Sequence, residues 1–140
     1  MELNTIIFRL VLITLLAGAV GLERGYHKKP AGFRTNILVG IGSALFTILS
    51  ANFPGTGALD ASRIASQIVI GIGFLGAGTI IHAERAVYGL TTAATLWVVA
   101  ALGMAIGAGF YREAIVAFIL IMVVLLLFRW LENWIGEKQE

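Results

Sequence analysis

The sequence predicts an all-α integral membrane protein with five transmembrane helices, on three observations. Of its 140 residues, 59% are hydrophobic and only 13% are charged, against about 45–50% and about 25% in ordinary globular domains. Five apolar stretches alternate with short polar breaks. The basic residues also gather on one side of that alternation. Five spans of about 20 residues use roughly 100 positions and leave about 40 for loops and ends, too few for a second folded domain. These proportions exclude a soluble enzyme and a nucleic-acid binder. The absence of cysteine excludes disulfide staples, thiolate metal sites and cysteine nucleophiles.

The five stretches run Thr5–Leu22, Thr35–Phe53, Ile64–Ile81, Leu90–Phe110 and Glu113–Trp130. Each is expected to be helical, because lipid offers backbone N–H and C=O groups no other partner. The first contains Ala17-Gly18-Ala19, which resembles a signal-peptide cleavage site. Its N-terminal flank carries Glu2 and no Lys, however, and basic residues follow the apolar run, so it reads as a retained helix. Lys28-Lys29-Pro30-Ala31-Gly32 then breaks the chain before the second stretch, and Pro54-Gly55-Thr56-Gly57 ends that stretch. The third is the weakest, with an unbroken apolar run of only 14 residues from Ile68 to Ile81, and a re-entrant or tilted element is its alternative. Gly89 precedes the fourth, and Tyr111-Arg112 turns the chain into the fifth. The expected domain is residues 1–134, followed by a short cytoplasmic tail, 135–140.

Orientation follows from Lys and Arg. Seven of the ten (Arg24, Lys28, Lys29, Arg34, Arg85, Arg129 and Lys138) fall on one side, and Arg9, Arg63 and Arg112 fall on the other. The positive-inside rule places the N-terminus outside and the C-terminus in the cytoplasm.

The fifth stretch has no Gly, Ser or Thr between Tyr111 and Ile135 and is expected to face lipid. The other four are Gly-rich and are expected to form the packed core, since small residues let helices approach where no hydrophobic drive exists. Gly18, Gly21, Gly71, Gly73, Gly76, Gly78, Gly103 and Gly107 are the expected packing positions. Gly40, Ser43, Thr47 and Ser50 recur at helical spacing, either as another packing face or as the lining of a narrow solute path. Gly71-Ile72-Gly73-Phe74-Leu75-Gly76 matches the G-x-G-x-x-G dinucleotide fingerprint, but it lies inside an apolar span and not in a βαβ unit.

Two polar groupings stand out. Glu23 and Arg24 close the first span, while Arg34, Thr35 and Asn36 open the second. A charge inside a bilayer costs about 2.5–3.5 kcal/mol even on the lenient scale, so these groups are expected to pair, as an interfacial lock or as a relay with Glu23 as its acid. Asp60, Arg63 and Gln67 share one helical face at the other side of the membrane, as a capped helix entry or as the mouth of a solute site. Glu84-Arg85 followed by Gly89-x-Thr91-Thr92 echoes the first hairpin, so Thr91 and Thr92 join the candidates. Arg9 is expected to reach outward towards Asp60 or Glu113, and Trp97 to pack mid-span. No catalytic constellation appears, so an enzyme is not expected. No metal-ligand spacing appears either, and magnesium binding is left open.

These residues resemble the MgtC/SapB family of bacterial inner-membrane proteins. The stretches that carry the resemblance are GAVGLERG (18–25), AGFRTNILVGIGSALF (31–46), RIASQIVIGIGFLGAGTI (63–80) and GLTTAATLWVVAALGMAIGAGFY (89–111). The resemblance implies a multi-pass protein of the bacterial inner membrane with five helices and an external N-terminus. It also implies a role in adaptation to low magnesium and, in pathogens, in virulence. It further implies action as a regulator or interaction protein on other membrane proteins, such as the F-type ATP synthase. Well-known members carry an ACT-like cytoplasmic domain after the last helix, and only ten residues follow Trp130 here. The expected function is therefore a membrane regulator in magnesium and ion homeostasis that forms a homo-oligomer in the bilayer, most simply a dimer. The alternative is a small magnesium, cation or proton channel or transporter.

Overall fold

The computed structural model describes residues 1–52, 62–83 and 86–136. Helix α1 (Leu3–Tyr26) is followed by α2 (Phe33–Asn52), α3 (Ser62–Ala77), a two-stranded ribbon of β1 (Ile81–Ala83) and β2 (Ala86–Tyr88), α4 (Leu90–Ala108) and α5 (Tyr111–Val123). The last helix continues through one π-helical turn, Val124–Phe128, into α6 (Arg129–Gly136). Four segments are long and apolar enough to cross a membrane: Leu3–Tyr26, Phe33–Asn52, Leu90–Ala108 and Tyr111–Leu131. The third expected span is shorter. The 16 residues of α3 cover about 24 Å, against about 30 Å of hydrocarbon. It is the same segment whose unbroken apolar run is shortest in sequence.

Helix α4 is the hub, touching α1, α2, α3 and α5. Half of its membrane-length window is buried, against 11% for Tyr111–Leu131. The main core joins Ile13, Ala17 and Val20 of α1 to Ala44 of α2 and to Val99, Leu102 and Ile106 of α4. The closest approach is between α2 and α4. A Cβ on Gly103 would collide with the carbonyl oxygen of Gly40, and one on Gly107 would lie 2.6 Å from that of Ala44. The same two glycines abut the Cβ atoms of Ser43 and Thr47. Ser43 and Thr47 of α2 therefore lie against the α4 backbone at these glycines. Thr47 also returns its hydroxyl to the Ser43 carbonyl at 2.8 Å. Gly21 sits against the Phe33 backbone and Asn36, and Gly18 against Phe33 and Ile37.

The α3 glycines behave differently. Gly76 lies at ordinary contact distance from Ala93, 3.5 Å, and Gly78 meets only carbonyl oxygens of its own helix end. At Gly71 and Gly73 a Cβ would meet no atom of another element within 4 Å among the described residues. Trp97, expected to pack, is half exposed. The ribbon between α3 and α4 pairs Ile81 with Tyr88 and His82 with Val87, where sequence suggested only a loop. Gly89 closes it at φ +90°, where a side chain would strike the Thr79 carbonyl, so this junction requires glycine.

A buried charge cluster as the candidate functional site

The last turns of α1 bring Glu23 and Arg24 into the protein at 7% and 4% exposure. Arg24 lies on the face of α1 that also carries Ile13, Ala17 and Val20, which points it at α4. Its Nη2 donates to the Thr92 hydroxyl at 3.1 Å, in the first turn of α4. Its Nη1 lies 3.8 Å from Glu23 Oε2. Glu23 projects to the side, where Arg129 Nη1 donates to its Oε1 at 3.2 Å. His27, one turn further along α1, places Nδ1 3.0 Å from the same Oε1 and 2.9 Å from the Glu23 carbonyl oxygen. Both of those atoms are acceptors, so this nitrogen carries the proton.

Asn36, fully buried at the start of α2, donates through Nδ2 to the carbonyls of Ala31 (2.9 Å) and Gly32 (2.8 Å). It thereby anchors the turn that returns the chain beside α1. Three buried polar atoms have no hydrogen-bond partner among the described residues: Glu23 Oε2, Arg24 Nε and Asn36 Oδ1. They include a carboxylate oxygen and a guanidinium nitrogen, groups rarely left unmatched in an interior.

The two guanidinium groups outnumber the one carboxylate, so the cluster is positive even with His27 neutral. Such an environment opposes a further cation. Among the described residues, no three His, Asp or Glu side chains gather where a metal ion could be held.

Only part of the expected first-hairpin grouping therefore assembles. Glu23, Arg24 and Thr92 are linked, and Asn36 is buried but satisfied by backbone carbonyls. Arg34, Thr35 and Thr91 are exposed outside the cluster. Of the second grouping, Arg63 and Gln67 are exposed on α3, and Asp60 lies outside the described residues. His27 and Arg129 belong to the site without having been expected in it. The Glu23–His27 spacing of one helical turn was a readable signal. So was Arg129, a lone cation at the end of a long apolar run.

The opposite end of the bundle holds a separate polar contact. Arg9 Nη1 donates to the Gly107 carbonyl at 2.6 Å, and its Nε donates to the Tyr111 hydroxyl at 2.9 Å. The guanidinium also lies 5.8 Å from the Tyr111 ring centre. Arg9 thus turns to the C-terminal end of α4, whose free carbonyls attract a cation; among the described residues its bonds are to Gly107 and Tyr111 and not to Glu113, while Asp60, the other expected partner, lies outside them.

Residues 10–134 match the MgtC family. The chain is 46% identical over 129 residues to the "Putative magnesium transporter YhiD" of Escherichia coli (strain K12), covering 87% of this chain and 60% of that protein. It is 38% identical over 141 residues to "Protein SapB" of Bacillus subtilis (strain 168), with 96% and 61% covered. It is 47% identical over 115 residues to "Protein MgtC" of Brucella abortus (strain 2308), with 82% and 48% covered. The chain thus spans 48% to 61% of the length of these relatives. No solved structure matches it. With the family matched over nearly the whole chain and by relatives from three bacteria, the chain belongs to the MgtC family.

Proposed function

We propose that the chain is a membrane regulator in adaptation to low magnesium, acting by contact with another membrane protein and not by carrying the ion. The observation behind this reading is the setting of Glu23. The buried acid is matched by Arg24 and Arg129, with His27 at the same oxygen. Magnesium takes one or two carboxylates and keeps several waters, whereas a carboxylate held between two guanidinium groups repels a dication. Ser43 and Thr47 of the small polar stripe of α2 also pack against the glycines of α4, which supports a packing role for them.

In this reading all five apolar helices lie in the bacterial inner membrane, with the N-terminus outside, the C-terminus cytoplasmic and the chain forming homo-oligomers. The basic residues of the first loop support that orientation. The second reading, a magnesium transporter, is favoured by the name of the Escherichia coli relative.

Magnesium and proton flux in proteoliposomes separates the two. The regulator predicts no flux above empty vesicles from a folded protein that still restores growth of a deletion strain in low magnesium. Flux that Glu23→Gln abolishes would make the protein a transporter.

A further inference from the structure

We propose that the seam between α2 and α3 binds one acyl chain of an anionic glycerophospholipid, with the phosphate received at the basic end of the bundle beside Arg34. The two helices run side by side but part along their outer edge, leaving a groove of about 510 Å³ that continues past Leu75 into a second of about 390 Å³. Leu38, Gly42 and Phe46 on one wall oppose Gln67, Gly71 and Leu75 on the other. Each set is spaced one helical turn apart. The glycine in the middle of each wall makes the hollow, since a Cβ at Gly42 or Gly71 would meet no atom of another element within 4 Å among the described residues. Leu38, Phe46 and Leu75 are 69%, 55% and 50% exposed, so the groove opens outward to the surroundings of the bundle.

Length and charge select the occupant. From Gly78 back to Gln67, and from Thr35 to Phe46, the walls each run over twelve residues, eleven helical steps or about 16 Å. That is the depth of one leaflet of a bilayer whose hydrocarbon is about 30 Å thick. The groove therefore accepts an extended acyl chain. At one end the largely apolar lining includes two hydroxyl side chains, Thr35 and Thr79. The next residue to Thr35, Arg34, is exposed and has no ion-pair or hydrogen-bond partner among the described residues. It stands in the first turn of α2, whose free N–H groups also favour an anion. Lys28 and Lys29, exposed in the preceding turn, add to the positive field. An anionic headgroup complements this end, and a zwitterionic one does so less. The site is independent of the Glu23 cluster and of the regulatory reading.

The test is lipid retention by the purified full-length protein, measured by native mass spectrometry after titration with phosphatidylglycerol or with phosphatidylcholine of the same acyl chains. The expected result is one retained phosphatidylglycerol, bound about tenfold more tightly than phosphatidylcholine. Arg34→Gln should bring phosphatidylglycerol down to the phosphatidylcholine level and leave the latter unchanged. Gly71→Leu and, independently, Gly42→Leu fill open space and should displace both lipids without unfolding the helices. Equal retention of the two lipids by the wild-type protein would overturn the proposal. So would folded leucine variants that keep their lipid. Leucine variants that change the monomer–dimer ratio and not the lipid would assign the groove to a second copy of the chain.

Discussion

Arg129 and Glu23 stand 106 positions apart in the chain and meet at 3.2 Å, which ties the end of the last helix to the end of the first. That tie matters because few residues of the last helix are fully buried. Ala114 and Leu125 are the buried residues of α5 and the π-turn, and lipid solvates an apolar helix face as well as a neighbouring helix does. The π-turn, Val124–Phe128, comes directly before Arg129, where an extra residue per turn resets the phase of the side chains that follow.

Arg129→Ala is therefore expected to loosen the final segment and spare the bundle. Hydrogen exchange should rise over 124–136 while the core amides of α2 and α4 keep their protection. Glu23→Ala should do more. It leaves Arg24, at 4% exposure, with no counter-charge, and removing one partner of a buried ion pair costs about 3–5 kcal/mol. Unfolding in mixed micelles would measure the difference. Equal losses from the two variants would mean that Arg24 does not depend on Glu23.

Glycine substitutions should divide into two classes. At Gly103 a new Cβ meets the Gly40 backbone, which cannot swing aside as a flexible side chain can, and at Gly107 it meets that of Ala44. Gly103→Ala and Gly107→Ala should each push α2 from α4 and lower stability by about 1–3 kcal/mol, the usual cost of overpacking. Gly71→Ala and Gly73→Ala enter open space and gain helix propensity, worth up to about 1 kcal/mol. Thermal unfolding in one detergent should separate the pairs by several degrees. A destabilised Gly73→Ala would mean that a second chain covers this face.

Much of this division was not readable in the chain. Apolar run length located the helices to within a few residues because a span has no other way to satisfy its backbone. Gly71 and Gly103 nevertheless look alike in sequence, as small residues in a G-x-G or G-x-x-x-G setting. Only the rotation of each helix about its axis decides which touches a neighbour, and an all-apolar helix carries little periodicity to fix that rotation. The charge cluster was half legible for a related reason. The adjacency of Glu23 and Arg24 and the echo at Thr92 were visible, whereas Arg129 reaches Glu23 only because the fifth segment returns to the same end of the bundle. The short ribbon of Ile81–Ala83 and Ala86–Tyr88 escaped notice because three-residue strands show no usable alternation.

Arg9 lies at the end of the bundle away from Glu23. Its guanidinium holds the Gly107 carbonyl and the Tyr111 hydroxyl at once, spanning the Gly109 turn that joins α4 to α5. Gly109 itself is left-handed at φ +93° and bonds back to Ile106, so the turn is closed from both sides. Tyr111→Phe removes one charge-assisted hydrogen bond and keeps the ring beside the cation and against Phe8. The loss should be modest, about 1.5–3 kcal/mol at most. Arg9→Met keeps much of the apolar stem but frees both acceptors and removes the cation from the α4 terminus, so it should cost more than Tyr111→Phe. If the two residues act as one clamp, the double variant should be no less stable than Arg9→Met alone. Fully additive losses in a double-mutant cycle, read from unfolding in detergent, would show that Tyr111 stabilises the turn through its ring and not through Arg9.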